Sequence, residues 1–300
     1  MATSIPVSGS ASPAGERGFR HPLAVLGRLA RNRAAVAGFA VLAVMGLAAL
    51  LAGALLPYGA ETADLNAVLQ PPGPAHLFGT DQLGRDILSR IIFGARVSLL
   101  VGVVSSLIGG TIGLAVGMLG GYFRGRTDSV VAKLIDVQLA FPFLLFAITV
   151  IAVLGPSLPN LLIILALSGW VTYARVVRGQ TLSLRETEFI QAAHGLGCPA
   201  WWILLRHVLP NVLSYALVIM TTEIGRLIVL ESTLSFLGLG VPPPTPSWGM
   251  ALADGKEYLI NGWWLATFPG LAIMTIVLCM NVLGDGARDL LEPRLRGRRG

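Results

Sequence analysis

The stretch QAAHGLGCPAWWILLRHVLPN, residues 191–211, lies between two long apolar segments and decides the fold of this chain. Good helix formers at its start are followed by Gly195 and Gly197, and glycine favours the left-handed conformation that ends a helix. Pro199 suits the first turn of a second helix, because its φ is preset and it needs no N–H partner. The pattern predicts a short helix–glycine–helix element over residues 186–207, which we call the elbow. It is too polar and too interrupted to cross a membrane.

The second arm of the elbow is amphipathic. Four apolar side chains recur at spacings of three and four and fall on one side of a helix: Trp201, Leu204, Leu205 and Val208. Arg206 lies off that side. The arm is expected on the cytoplasmic face of the membrane. A re-entrant loop, or an arm that lies in the lipid interface with tryptophan anchors, is an alternative interpretation of the same pattern.

The chain as a whole is too apolar for an ordinary soluble domain. Of its 300 residues, 54% are hydrophobic and 13% are charged, and the mean hydropathy is +0.72. Residues 34–56 carry no charge and reach about 34 Å as a helix, enough to cross a bilayer core of about 30 Å. This length favours an uncleaved first span over a signal peptide. Five further spans are expected at about 97–120, 130–154, 160–177, 208–236 and 264–284.

The basic residues indicate which side of the membrane the loops face. The net charge is +6, and 17 of the 22 Lys and Arg residues lie in the two tails, at 124–133 and around the elbow, against four in the segments between the other spans. Because cytoplasmic loops carry the excess of Lys and Arg, we expect an all-α polytopic membrane protein with six transmembrane helices and both termini in the cytoplasm. This distribution argues against nucleic acid as a partner. Cys198 in a loop and Cys279 in a span are not expected to form a disulfide.

These patterns divide the chain into five regions. The first tail is rich in Ser, Gly and Pro, which favours disorder. The regions are a disordered basic cytoplasmic tail at 1–33, a first transmembrane helix at 34–56, an external segment at 57–96 with the motif GTDQLGRD, a five-helix core at 97–284 that includes the elbow, and a basic cytoplasmic tail at 285–300.

A stripe of glycines runs along the second span. Gly109, Gly113, Gly117 and Gly121 are four residues apart, and therefore lie on one face of a helix. Small residues in such a stripe let two helix backbones approach closely in lipid. We expect a tight helix–helix contact there.

The fifth span carries three ionisable residues, Glu223, Arg226 and Glu231. Glu223 and Arg226 fall near the middle of the membrane, where exposure of either to lipid would cost about 2.5–3.5 kcal/mol. Their spacing of three residues lets them pair on one face, and Glu231 lies in the same broad arc. Two interpretations stay open: the residues line a translocation pathway, or they form an internal ion pair that stabilises the bundle.

The external motif GTDQLGRD is expected to be structured. Either Thr80 or Asp81 caps a helix that starts near Gln82, with Asp86 in an early turn. We also expect a fixed polar cluster at the outer mouth of the bundle, formed by Asp81, Arg85 and Asp86. A contact of these residues with a docked protein is the alternative. Trp248, in the proline-rich segment VPPPTPSWG, is expected to anchor that segment at the outer interface or to touch a docked protein.

The sequence has no pattern of a nucleotide site, a metal site or a catalytic site. Gly255 and Lys256 are followed by Glu257, where a phosphate-binding loop needs Ser or Thr. The four histidines are scattered over both sides of the predicted membrane, so we expect no metal ligands and no catalytic residues. Any ATP hydrolysis linked to this chain therefore requires another polypeptide.

Four separated motifs resemble those of the C-type permease subunit in the dipeptide/oligopeptide/nickel family of binding-protein-dependent ABC importers. They are the elbow, FGTDQLGRDILSRIIFGARVSL (78–99), LSFLGLGVPPPTPSWG (234–249) and NVLGDGARDLLEPR (281–294). The elbow is similar to the family's cytoplasmic Glu-Ala-Ala signature, with two departures: Gln191 replaces Glu, and His207 replaces Ile. The signature positions are Gln191, Ala192, Ala193, Gly197, Leu209 and Pro210.

The resemblance implies a type I ABC importer permease fold in a bacterial or archaeal plasma membrane. A second homologous permease subunit would form the pathway for short peptides with this chain, and an extracytoplasmic binding protein would deliver the substrate. Two cytoplasmic ATPases would use ATP-Mg and bind the elbow, so this chain would bind no cofactor itself. The ATPase-coupling residues would be Gln191, Ala192, Ala193, Gly195, Gly197, Pro199, Trp201, Arg206, Leu209 and Pro210.

Other functions fit the sequence less well. Within the same family, nickel and glutathione-like compounds are alternative substrates. A secondary transporter that works alone would be favoured by inverted repeats and broken mid-membrane helices. An intramembrane enzyme would need a catalytic set at depth, which Glu223 and Arg226 do not form.

Overall fold

The computed structural model describes residues 32–291, so most of the predicted tail 1–33 and the end of the predicted tail 285–300 lie outside the described residues. Within that range the chain is helical and contains no β-strand. The helices are α1 (Arg33–Leu50), α2 (Ala52–Leu55), α3 (Ile87–Phe123), α4 (Gly125–Ala140), α5 (Phe143–Leu154), α6 (Leu158–Arg185), α7 (Glu188–Gly195), α8 (Ala200–Ile203), α9 (Leu209–Phe236), α10 (Trp248–Gly255) and α11 (Trp264–Leu291).

The spans expected from hydropathy are present, but several of them are longer than expected. Four helices, α1, α3, α6 and α11, and the continuous segment Ala200–Phe236 are each long and apolar enough to cross a membrane, and the bent pair α4–α5 adds a sixth span. The second span begins at Ile87 rather than near residue 97, because Asp86 caps it. The last helix runs to Leu291, beyond the expected end at 284.

The third span is bent rather than straight. An angle of 84° separates α4 from α5, and the break falls at Phe141 and Pro142. A residue that precedes proline is disfavoured in the helical conformation, and Phe141 is accordingly extended, with ψ 127°. The twelve residues of α5 reach only about 18 Å, so α5 alone is too short to cross a bilayer core.

The glycine stripe of α3 makes the expected close contact, and its partner is α6. A Cβ placed on Gly109, Gly117 or Gly121 would lie 2.7 Å from the carbonyl oxygen of Ala166, Ala174 or Arg178, respectively, and Gly113 faces Trp170 in the same way. The facing carbonyls are also four residues apart, so two stripes of backbone meet along about three and a half turns. Only glycine allows this approach, and the expectation is confirmed.

Two groups of buried side chains mark the opposite ends of the helix bundle. At one end, which carries GTDQLGRD and which we call the motif end, Ile87, Trp248 and Trp264 share one apolar cluster. At the other, the elbow end, Tyr122 and Tyr173 of α3 and α6 share a cluster with side chains of the elbow. Helix α9 contacts α3, α6 and α11 and connects the two ends through the centre of the bundle.

Candidate functional site

The first arm of the elbow ends in the manner that its glycines predict. Gly197 has φ +77°, the left-handed conformation that glycine adopts without strain. Its N–H donates to the carbonyl of His194 at 3.0 Å, and the N–H of Cys198 donates to the carbonyl of Ala193 at 3.1 Å. This pair of bonds is a Schellman motif, which satisfies the free carbonyls at the end of α7. Pro199 follows in an extended conformation and precedes α8.

The second arm continues without a break into the fifth span. Residues 204–208 form one π-helical turn, and the N–H of Leu209 accordingly donates to the carbonyl of Leu204, five residues earlier. Pro210 cannot donate to the carbonyl of Arg206, and a wider turn accommodates that missing bond. The side-chain amide of Asn211 donates to the carbonyl of His207 at 2.6 Å. The arm and α9 therefore form one helical rod, Ala200–Phe236, rather than a separate helix in the lipid interface.

Buried apolar side chains attach both arms of the elbow to the bundle. Tyr122, Tyr173 and Val177 form the surface that receives them. The elbow residues in this cluster are Ile190, Ala193, Ile203, Leu204 and Val208. A movement of either arm must therefore displace α3, α6 or the rod.

The outward face of the second arm differs from the face that the sequence predicts. Leu204 and Val208 are buried as part of the apolar side, but Trp201 and Leu205, which were expected beside them, are 63% and 57% exposed. Ile203, which lies outside that predicted apolar side, is fully buried. The apolar arc is wider than the surface that α3 and α6 cover, so its remaining part faces outward together with Arg206.

The exposed face joins the two arms through an aromatic contact. The ring of His207 lies 4.9 Å from the ring of Trp202 and 6.1 Å from that of Phe189, between centroids. Leu196, between the two glycines of the turn, is 84% exposed. Large apolar side chains that are this exposed commonly mark an interaction site. We call Phe189, Leu196, Trp201, Trp202 and Leu205 the elbow face.

At the motif end, a buried aspartate organises an ion-pair network. Asp81 is fully buried and accepts hydrogen bonds from the guanidinium groups of Arg85 and Arg90, at 2.6 and 2.8 Å. Arg90, which is 1% exposed, also donates to Asp254 at 2.7 Å, and Arg85 reaches Asp254 at 3.3 Å. The expected cluster of Asp81 and Arg85 is therefore present. Arg90 and Asp254, which sequence reasoning missed, complete it and tie the motif to α10.

Asp86 does not belong to this network. It is the N-cap of α3, where its carboxylate accepts from the N–H of Ser89 at 2.8 Å, and it pairs with the His76 ring at 3.0 Å. The expected helix start near Gln82 is thus wrong: the residues before Asp86 form a turn, and Thr80 bonds to the carbonyl of Ala67 instead of capping a helix. The motif end is built from long-range bonds that local helix signals do not reveal.

Trp248 lies in the core of the motif end rather than at the outer interface. Its side chain is fully buried, and its indole N–H donates to the carbonyl of Ile91 at 2.8 Å. Neither a lipid anchor nor a contact with a docked protein fits this position. The bond satisfies the one polar atom of the indole, so the large ring contributes its whole apolar area to the core.

The three ionisable residues of the fifth span divide into a pair and a buried acid. Arg226 donates to Glu223 at 2.8 Å and to the hydroxyl of Ser168 on α6 at 3.2 Å. Glu223 is buried, but the side chain of Arg226 is 41% exposed. Glu231 is fully buried and accepts hydrogen bonds from the hydroxyls of Ser98, Ser232 and Ser235. It therefore has no exposed surface with which to line a pathway.

The sequence matches two families of membrane transport proteins. Residues 109–297 match the family described as binding-protein-dependent transport system inner membrane component, and residues 17–72 match the N-terminal transmembrane domain of oligopeptide transport permease C. The chain belongs to the family of binding-protein-dependent transport system inner membrane components.

Relatives of the permease cover nearly its whole length. It is 40% identical to a putative peptide transport system permease protein of Brucella abortus over 90% of both chains. It is 41% identical to the glutathione transport system permease protein of Pectobacterium atrosepticum, over 89% of both chains. It is 39% identical to the dipeptide transport system permease protein of Bacillus subtilis, over 90% of this chain and 84% of the relative. These matches confirm the C-type permease assignment that the motifs indicate.

A solved structure supports the fold of the permease. A chain of the inward-facing MetNI methionine ABC transporter superposes with a TM-score of 0.56, at 20% sequence identity, over 68% of this chain and 97% of that one. The expected type I importer permease fold is confirmed by this likeness. The chain thus belongs to a family of multi-pass inner-membrane transport permeases.

The predicted coupling residues of the permease fall into two groups. One group is exposed and available to a partner: Gln191, Ala192, Gly195, Gly197, Pro199, Trp201 and Arg206. Ala193 is buried beneath the elbow, and Leu209 and Pro210 are partly buried in the rod, so these three residues shape the elbow from within. Phe189 and Leu196 were missed, and Trp202 and Leu205 were not among the predicted coupling residues. Their large apolar side chains, next to glycines and in a polar loop, are a usable signal.

Proposed function

We propose that this permease subunit forms, with a second homologous permease, the pathway of an ATP-driven importer of short peptides. The elbow binds a cytoplasmic ATPase, and an extracytoplasmic binding protein delivers the substrate to the motif end. The observation that carries the proposal is the elbow itself: a large exposed apolar face mounted on a helical rod that runs through the bundle. A surface of this kind transmits a rigid-body movement of a bound ATPase into the span.

The orientation proposed is that both termini lie in the cytoplasm. The elbow end carries Arg124, Arg178 and Arg185, and the tails and the loop at 124–133 add most of the remaining basic residues. An excess of Arg and Lys is typical of the cytoplasmic side. A C-terminal tag should then be cleaved by protease in inside-out vesicles and protected in right-side-out vesicles.

Peptides are the proposed substrate because relatives named for dipeptide and peptide transport cover 90% of this chain. Glutathione, itself a peptide-like dicarboxylate, is the second candidate, because the Pectobacterium relative named for it is equally similar. Transport assays with the assembled complex distinguish the two compounds directly.

The test of the proposal is the composition of the complex. The tagged chain is purified gently from its own cells, and the proteins that accompany it are identified by native mass spectrometry. One homologous permease and two ATPases are expected. A stable lone chain or a homo-oligomer whose transport survives ATP depletion would overturn the importer and favour a secondary transporter.

Two matched glycine variants test the role of the elbow in that complex. Gly197→Phe places a bulky group at the turn of the elbow, where a Cβ meets no atom within 4 Å. Gly155→Phe is the control: Gly155 has a nearly equal φ of +78° and equally open surroundings, but it lies between α5 and α6, far from the elbow in the chain. Both variants impose the same backbone strain. Only Gly197→Phe should lose the ATPases, and equal losses would show that backbone strain alone is responsible.

A further inference from the structure

A polar stripe crosses the middle of the membrane on two neighbouring helices. On α9, Thr222 and Arg226 are one turn apart and exposed, and on α6 the residues Ser168, Thr172 and Arg175 follow at helical spacing with at least partial exposure. Arg226 and Ser168 join the two helices by a hydrogen bond. A guanidinium that faced lipid at this depth would be strongly disfavoured. The stripe therefore faces water or protein, as the wall of a pathway does.

The arrangement of Arg226 is asymmetric. Its partner Glu223 is 5% exposed, whereas the arginine side chain is 41% exposed. An ion pair that only stabilised the bundle would be covered on both sides. Here the buried carboxylate holds the Nε side of the guanidinium, and the rest of the group is presented to the stripe.

The guanidinium also retains free donors. A guanidinium carries five N–H groups. Those of Arg226 that have partners among residues 32–291 are the Nε–H, bound to Glu223, and one on Nη2, bound to Ser168. Because Glu223 and Ser168 bind two of its three nitrogens, the plane of the group is held in position and the Nη1 donors stay available. A fixed planar fork of this kind matches the geometry of a carboxylate.

We propose that Arg226 is a substrate-contacting residue that binds the terminal carboxylate of a peptide during its passage, and that Glu223 and Ser168 hold it in position. The assignment rests on the proposed function for the identity of the substrate. The carboxylate site gives the pathway a preference for anionic groups at the level of Thr222. Glu223 limits the strength of that preference by partly neutralising the arginine charge, so that the peptide is released again.

The preference is measured with a cysteine at Thr222, next to the guanidinium on the same face. The reporter Thr222→Cys is placed in a Cys198→Ser/Cys279→Ala background of the assembled transporter in nanodiscs. Its reaction rates with an anionic and a cationic methanethiosulfonate of similar size are compared. The anionic reagent is expected to react faster. Arg226→Gln should lower the ratio of the two rates roughly tenfold, as expected for a unit charge within about one helical turn in a wet site.

Two further variants make the result specific to charge. Glu223→Gln leaves the arginine uncompensated and should raise the ratio, in the direction opposite to Arg226→Gln. A general loosening of the helix would change both rates in the same direction and leave their ratio unaltered. Leu278→Cys, at an exposed apolar position on α11, is the control for lipid and should react with neither reagent.

The carboxylate itself is tested with Ala-Ala and Ala-Ala amide at millimolar concentration, without binding protein. Ala-Ala should slow the labelling of Thr222→Cys by the anionic reagent, the amide should not, and Arg226→Gln should abolish the difference. Equal effects of the two compounds overturn the carboxylate assignment. A reporter that neither reagent reaches overturns the water-exposed stripe, and Thr172→Cys, exposed on α6, repeats the measurement if Thr222→Cys does not fold.

The outcomes separate this proposal from the proposed function. An assembled transporter that hydrolyses ATP but shows no charge preference at Thr222 overturns only the carboxylate site. A chain that copurifies with no ATPase, yet keeps the preference and its loss in Arg226→Gln, overturns the importer and leaves an anion site in a different kind of transporter.

Discussion

Replacing Gly117 with alanine tests whether the glycine stripe sets the distance between α3 and α6. The new Cβ would lie 2.7 Å from the carbonyl oxygen of Ala174 and 3.0 Å from the Cβ of Val177. An ordinary contact begins at 3.4 Å, so the helices must separate by about 0.7 Å. The nearest atom belongs to the backbone and cannot swing aside as the end of a side chain can.

The cost follows from this separation. A gap of about 0.5–1 Å removes a quarter to a half of the attraction between the atoms that face each other, and overpacking costs about 1–3 kcal/mol. Alanine recovers about 0.5–1 kcal/mol relative to glycine within a helix. The expected net loss in the free energy of unfolding is about 1–2 kcal/mol for Gly117→Ala.

The assay is unfolding of the purified permease in mixed micelles as the fraction of SDS is raised, followed by tryptophan fluorescence. Gly46→Ala is the matched control, because Gly46 lies within α1 and its Cβ would meet no atom within 4 Å. The control should equal the wild type or gain about 0.5–1 kcal/mol. If Gly117→Ala proves as stable as Gly46→Ala, the close backbone contact does not exist in the membrane protein.

The remaining predictions concern the two ends of the bundle. Arg90→Met should lower the free energy of unfolding by about 3–5 kcal/mol in the same SDS titration, because Asp81 loses a buried partner. A loss below about 1 kcal/mol would show that Arg85 and the backbone are sufficient to stabilise the buried carboxylate of Asp81. At the elbow, Ile203→Ala should cost about 2–5 kcal/mol, since its side chain is fully buried. Leu205→Ala should change the free energy of unfolding by no more than about 0.5 kcal/mol, yet the variant should no longer pull down the ATPases. Equal losses of stability in Ile203→Ala and Leu205→Ala would contradict the assignment of Ile203 to the buried face and Leu205 to the exposed face.

The elbow illustrates which parts of a site are predictable. Its position and its turn follow from Gly197 and Pro199, whose backbone preferences are local properties of the chain. The side chains that it presents to a partner were only partly predicted. Leu205 is as apolar as Leu204, and Trp201 carries a large apolar ring, so only the location of α3 and α6 decides which of these side chains is covered.

The ion pairs show the same division. Asp81 and Arg85 are four residues apart, and Glu223 and Arg226 three apart, so spacing alone predicts that each pair can meet. The bond between Arg90 and Asp254 spans 164 positions of the sequence, and no local pattern announces it. The burial of Glu231 depends in the same way on Ser98, which lies 133 positions away on another helix.

The sequence by itself determined the membrane spans, the glycine contact, the elbow and the family, because hydropathy, helical period and glycine and proline conformation are properties of short segments. Only the tertiary structure decided that Trp248 and Glu231 are buried, that the third span bends, and that α8 and α9 form one rod. The physical reason is the solvent. Lipid is as apolar as the interior of the bundle, so hydropathy places a residue in the membrane without telling which side of a helix faces protein. That distinction arises only when the helices pack.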